Sequence, residues 1–172
     1  MSLLIKTIDY IGWQSFIILF IVSVVLLRNR PRLLYYYLLG LPFNFMVNYL
    51  LKGMIQDPRP SNDTELIQIA LHNGKRIGPD VYGMPSGHTQ NAFYSIAFIH
   101  FTFNNNWLTL GALSLGLLTM YQRVKYNNHT IYQVVAGAIV GSLVGYMSHW
   151  FGFKLRTAHF APKPDDNANV RW

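Results

Sequence analysis

Three short stretches of this chain hold residues that could do chemistry together. Lys52 and Arg59 lie within KGMIQDPRP, residues 52–60; Ser86, Gly87 and His88 follow Pro85 in PSGH; Arg123 and His129 bound RVKYNNH, residues 123–129. Several cations at one place suit an oxyanion carrying two or three charges, and arginine in particular makes bidentate contacts with phosphate. PSGH adds a hydroxyl and a bare glycine N–H just ahead of an apolar run. The first N–H groups and the positive dipole end of a helix starting there form a natural anion site. The two histidines complete the set, since one can attack phosphorus while the other protonates the departing oxygen. Acids are few, and none pairs with a histidine at metal-ligand spacing, so no metal cage is legible. The absence of cysteine excludes disulfides, thiolate catalysis and cysteine-based zinc sites.

The elements that must position these residues are apolar. The 172 residues are 51% hydrophobic, 15% aromatic and only 12% charged, a low charge fraction for a soluble domain. The length fits one domain. The formal net charge is +7, but the basic residues are scattered between apolar runs, which argues against nucleic acid as a partner. Residues 11–27, 33–51, 107–121 and 131–153 read as membrane spans, with Pro42 expected to kink the second. Residues 89–103 form a shorter and weaker segment carrying Gln90, Asn91 and His100. A helix that polar makes sense only when packed inside a bundle. The expectation is therefore an all-α polytopic bundle of about five spans over residues 1–153, followed by a polar tail, 154–172. The first span is long for a signal peptide, lacks a small-x-small cleavage site and is followed by RNRPR, so it reads as retained. The long polar interruption, residues 52–84, reads as a functional loop.

Counting crossings brings the polar clusters together. With five spans, the loop after the second span and the loop between the fourth and fifth emerge on the same side. Lys52, Arg59, Ser86, His88, Arg123 and His129 then share one membrane face. Without the weak third span they would be divided between the two faces, and their common chemistry argues for that span.

The three stretches resemble, in order and in the spacing of their Lys, Arg and His positions, the signature motifs of the type 2 phosphatidic acid phosphatase (PAP2) superfamily. Those motifs are written Lys-x6-Arg-Pro, Pro-Ser-Gly-His and Ser-Arg-x5-His-x3-Asp. The resemblance covers residues 52–133, with spans continuing on either side. It implies a membrane-embedded, metal-independent hydrolase, without cofactor, acting on a lipid phosphate or diphosphate. It further implies His129 as a nucleophile forming a phosphohistidine and His88 as the acid for the leaving group. Lys52, Arg59 and Arg123 would hold the phosphate, helped by Ser86 and the backbone of Gly87. Phosphoryl transfer is compatible with such a site, because it needs positioning and charge stabilisation more than covalent machinery.

The chain departs from the pattern twice. Gln122 stands where the family has the Ser before the third-motif Arg, and Gln133 where it has the Asp after the histidine. Residues 129 and 133 share one face if a helix begins near His129. Gln133 can accept a hydrogen bond through its amide oxygen, but it carries no charge and could present its NH₂ instead. Two readings therefore compete. One is an active lipid phosphatase in which Gln133 serves His129. The other is a weak or inactive relative with a structural or headgroup-binding role, for instance within a membrane-protein assembly.

Other features read more simply. His72, His100, His149 and His159 read as structural or solvated, and Tyr35, Tyr36, Tyr37, Trp107 and Trp150 as interfacial or lipid-facing aromatics. Gly137, Gly141 and Gly145, spaced by four, suggest close helix packing. Lysines and arginines tie at seven on each side of the five-span arrangement. Three on the cluster side have a chemical reason to be there, and RNRPR lies opposite. The clusters are thus expected on the lumenal or extracytoplasmic face. Asn62-Asp63-Thr64 and Asn128-His129-Thr130 both fit the glycosylation pattern, the second overlapping the histidine of interest.

Overall fold

The computed structural model describes residues 3–60, 72–73 and 78–158. The Asn62 sequon, most of the long loop and the tail from residue 159 lie outside these. Among the described residues there are five long α-helices: α1 Leu3–Leu27, α2 Pro31–Ile55, α3 Gly87–Phe103, α4 Asn106–Lys125 and α5 Ile131–Ala158, with a 3-10 turn at Gly78–Val81 before α3. The all-helical expectation holds. Two of the helices start for a clear local reason. Pro31 occupies the first turn of α2, where its missing N–H costs nothing. Asn105 caps α4, its side chain accepting from Leu108 N at 3.0 Å. Pro42 lies inside α2 without ending it.

α1, α2 and α5 are long and apolar enough to cross a membrane. Their outward side chains, such as Ile21, Leu39 and Leu143, are exposed in a way that suits lipid better than water. α3 is the central helix, and this accounts for its polarity. Thr89, Gln90, Asn91, Ala92 and the six residues Tyr94 to Ile99 are all buried. Its amides are satisfied from α2: Asn44 donates to Asn91 Oδ1 at 2.7 Å, Gln90 donates to Asn44 O and Oδ1, and Asn48 donates to Gln90 Oε1 at 2.8 Å. In an apolar surrounding such a ladder fixes the register of two helices, because a slip leaves several buried amides without partners.

The glycine triplet on α5 packs against α3. A Cβ on Gly137 would strike Ser86 O, one on Gly141 would strike the Gln90 carbonyl, and one on Gly145 would strike Tyr94 O. The helices approach at a distance that only glycine permits. The expected position of Tyr37 needs correction. It is fully buried among Leu27, Tyr94, Phe98 and Val144, with its hydroxyl 2.8 Å from Ser95 Oγ. A hydroxyl partner on α3 draws it inward, whereas Tyr35, Trp107 and Trp150 remain exposed.

Candidate active site

The C-terminal ends of α2 and α4 and the N-terminal ends of α3 and α5 meet at one end of the bundle, where the three polar stretches come together. Lys52 lies in the last turn of α2 and is buried, so it does not snorkel to a boundary. Its Nζ reaches Asp80 Oδ1 at 2.5 Å. Arg59, just beyond α2, reads the facing loops. It donates to Asp80 O at 2.9 Å, Val81 O at 3.2 Å and Asn128 O at 3.2 Å, and its guanidinium lies 3.7 Å from Asp80 Oδ1. Arg123, in the last turn of α4, is buried and donates through Nε to Gln122 Oε1 at 2.7 Å. Its carbonyl accepts from the backbone N–H groups of Asn128 and His129, folding the intervening loop back onto α4. Gln122, the first departure from the motif, is thus the group that braces Arg123.

Ser86 occupies the N-cap position of α3, but its side chain does not cap the helix. Its hydroxyl is buried and accepts from Thr89 Oγ1 at 3.2 Å, and its backbone N–H donates to Gln133 O at 3.0 Å. Ser86 therefore ties α3 to α5, while the first N–H groups of α3 are left without a side-chain cap. Gly87 and His88 line a cavity of about 550 Å³ with Lys52, Asp80 and the apolar side chains of Phe16, Phe45, Met46 and Tyr49. The His88 ring stands edge-on to Phe16, with centroids 4.7 Å apart.

His129 is buried, and both of its ring nitrogens are engaged. Nε2 lies 3.0 Å from Arg59 Nη1 and Nδ1 lies 3.1 Å from Gln133 Oε1. These partners specify one tautomer. A guanidinium can only donate, so Nε2 presents its lone pair, and an amide oxygen can only accept, so Nδ1 carries the proton. The orientation of the Gln133 amide is itself determined. Its oxygen faces the Thr130 N–H at 3.2 Å, and its nitrogen faces Asp57 Oδ2 at 2.6 Å and Pro58 O at 2.8 Å. A flipped amide would set donor against donor and acceptor against two acceptors. Burial holds the His129 imidazole well below its ordinary pKa, and the charges of Arg59, Lys52 and Arg123 push the same way against the Gln133 hydrogen bond. The ring is neutral, with a nucleophilic lone pair among cations.

Lys52, Arg59, Arg123 and His129 are thus gathered at one end of the bundle, with His88 and Gly87 on the adjoining cavity wall. Asp57 and Asp80, the acids that the topology puts nearest the site, also shape this region, as does the Asn48–Gln90 amide pair, which the motifs do not single out. The four-residue spacing of Asn44 and Asn48 on an apolar helix, facing Gln90 and Asn91, is the signal that could have found the ladder. The PAP2 superfamily model matches residues 33–157, which contain this whole constellation. The chain belongs to the PAP2 superfamily.

Among its relatives is the lipid A 4'-phosphatase of Bacteroides thetaiotaomicron, 29% identical over 86% of this chain and 69% of that protein. Human dolichyldiphosphatase 1 is 32% identical over 80% of this chain and 59% of its own length. Arabidopsis thaliana lipid phosphate phosphatase gamma is 27% identical over 95% and 74% respectively. The chain thus spans about three-fifths of the human relative. No solved structure matches it significantly. Membership and the three candidate spans together make this an integral membrane protein.

Proposed function

We propose that the protein is a membrane phosphatase that hydrolyses a lipid phosphate or diphosphate through a phosphohistidine at His129. The observation that carries this reading is the bed of His129: a neutral ring whose Nε2 lone pair is held by Arg59 beside Lys52 and Arg123. A phosphate drawn to these cations takes over their donors and frees Nε2 for in-line attack on phosphorus. The P–N bond forms as the bond to the lipid oxygen breaks, and His88 supplies that oxygen's proton. Water then attacks the phosphohistidine, His88 recovers a proton from it, and the P–N bond breaks to release phosphate. Asp80, now on Lys52 and Arg59, yields its place to the substrate. All five helices cross the membrane, α3 sheltered by the others, and the site lies at the lumenal or extracytoplasmic face. The apolar cavity beside His88 takes the first part of the lipid tail. No metal takes part in the two steps.

Gln133 favours a second reading, a phosphate-headgroup-binding protein without turnover, because a neutral amide stabilises an imidazolium less than a carboxylate does. Phosphate release from a panel of lipid monophosphates and diphosphates, in detergent with EDTA, decides between them. Chelator-resistant turnover abolished by His129→Ala establishes the phosphatase. An inert wild type that still binds the headgroups establishes the second reading.

A further inference from the structure

The carboxylate missing beside His129 is present one hydrogen bond further away. Gln133 Nε2 donates to Asp57 Oδ2 at 2.6 Å, while Gln133 Oε1 accepts from His129 Nδ1 at 3.1 Å. The Asp57 side chain reaches this position from the loop after α2, whose backbone is fastened by Gly83 N donating to Asp57 O at 2.8 Å. The space is closed, since a Cβ on Gly83 would run into the Gln133 side chain.

We infer that Asp57 and Gln133 together replace the family's single aspartate, with Asp57 as the positioning residue that orients and polarises the Gln133 amide against His129. This inference rests on the phosphatase reading for its catalytic consequence, although the hydrogen-bond chain stands without it. A carboxylate on the amide nitrogen draws electron density toward Oε1 and strengthens its bond to Nδ1–H. When Nε2 bonds to phosphorus the ring acquires positive charge. The chain then answers that charge with an amide dipole backed by a full negative charge. Asp57 touches neither substrate nor the attacking nitrogen and works entirely through Gln133. Removing it leaves Pro58 O on the amide and Gly83 N on the backbone of residue 57, so the neighbouring ties remain while the part of the polarisation that comes from the charge is lost.

The test uses the full-length protein in detergent. Asp57→Ala and Asp57→Asn are expected to lower kcat by roughly 10- to 100-fold with KM little changed, by analogy with the loss of an outer partner behind a metal-ligating histidine. The exchanged pair Asp57→Asn with Gln133→Glu keeps the hydrogen bond between positions 57 and 133 and sets a carboxylate directly on Nδ1. It is expected to recover part of the lost rate, since the oxygen that replaces the NH₂ at position 133 faces Pro58 O as well as the new amide at position 57, whereas Gln133→Glu alone, with two carboxylates in contact, is not. The second readout is the Nδ1–H proton resonance of His129, assigned by its disappearance in His129→Ala and expected to move upfield in Asp57→Ala. An active wild type whose kcat and Nδ1–H resonance ignore Asp57→Ala overturns the role of Asp57 and leaves the phosphatase reading standing. An inert wild type in which Asp57→Ala still moves the resonance supports the chain and overturns the phosphatase reading instead.

Discussion

The two imidazoles of the site are held in different ways. His129 is gripped at both ring nitrogens, by Arg59 and by Gln133, in a closed polar bed. His88 stands on the wall of an apolar cavity with its ring edge on Phe16. The difference matches the two proposed tasks. A nucleophile must offer the same lone pair on every turnover, so a single enforced tautomer helps it. A group that gives a proton in one step and takes one in the next must alternate between states, and a fixed partner at each nitrogen would hinder that. The fold supplies both environments within one end of a five-helix bundle by placing His129 in a loop tied to three elements and His88 at the start of the buried helix.

The largest effect that tests this contrast comes from the leaving group. His88→Ala is expected to cut turnover of a lipid monoester by about 10²–10⁴-fold, the ordinary worth of a general acid. On p-nitrophenyl phosphate, whose leaving group departs without a proton, the loss should be smaller by at least about tenfold, because the first step no longer needs an acid. His129→Ala should abolish turnover of both. Equal losses for His88→Ala on the two substrates, measured as kcat/KM so that the shared hydrolysis of the phosphohistidine does not enter, would remove the acid role of His88 and erase the division of labour.

Much of this arrangement was legible in the sequence. Lys52, Arg59, His88, Arg123 and His129 are carried by local spacings, and the alternating direction of successive helices returns their loops to one end of the bundle. The glycine triplet on α5 also reads correctly, since a four-residue period of glycine has few uses other than close packing. Tyr37 does not, because the partner that draws it inward, Ser95, lies in another helix and its register cannot be seen locally. Ser86 carries a tie that spacing does not show: its hydroxyl accepts from Thr89 and its N–H donates to Gln133 O, which joins α3 to α5. The alliance of Asp57 with Gln133 depends on a loop folding back across the N-terminus of α5, a long-range event that spacing does not encode.

Both imidazoles depend on the seam between α3 and α5, and Gly141 is where it can be opened. Glycine to alanine inside a helix ordinarily stabilises by about 1 kcal/mol. Here the new Cβ would lie 2.9 Å from the Gln90 carbonyl carbon and 3.0 Å from its Cα, and backbone cannot swing aside as a flexible side chain can. The sign should reverse, with Gly141→Ala costing about 1–3 kcal/mol, the usual scale of overpacking. Thermal unfolding in detergent reads this directly, beside Gly111→Ala as a control, since nothing lies within 4 Å of a Cβ at Gly111. Equal midpoints for the two variants would mean that the seam is looser than described.

The smallest effect is the sharpest statement about His129 itself. Its pKa is depressed in the folded protein, first by burial and then by Arg59 and Lys52, whereas an unfolded imidazole titrates near 6.5. Between those values the unfolded chain binds a proton that the folded one refuses, so stability falls as pH falls. The contribution is fully present above about pH 6.5 and is lost progressively below it. Between pH 7.5 and 5.5 the wild type should lose about 1.4 kcal/mol more stability than His129→Gln, which has no imidazole to protonate at that position. The comparison between the two proteins cancels the titration of His88 and of the exposed acids. Equal losses would show that His129 takes up its proton in place, in a bed open enough to hydrate it, and the closed and gripped ring that distinguishes it from His88 would have to be abandoned.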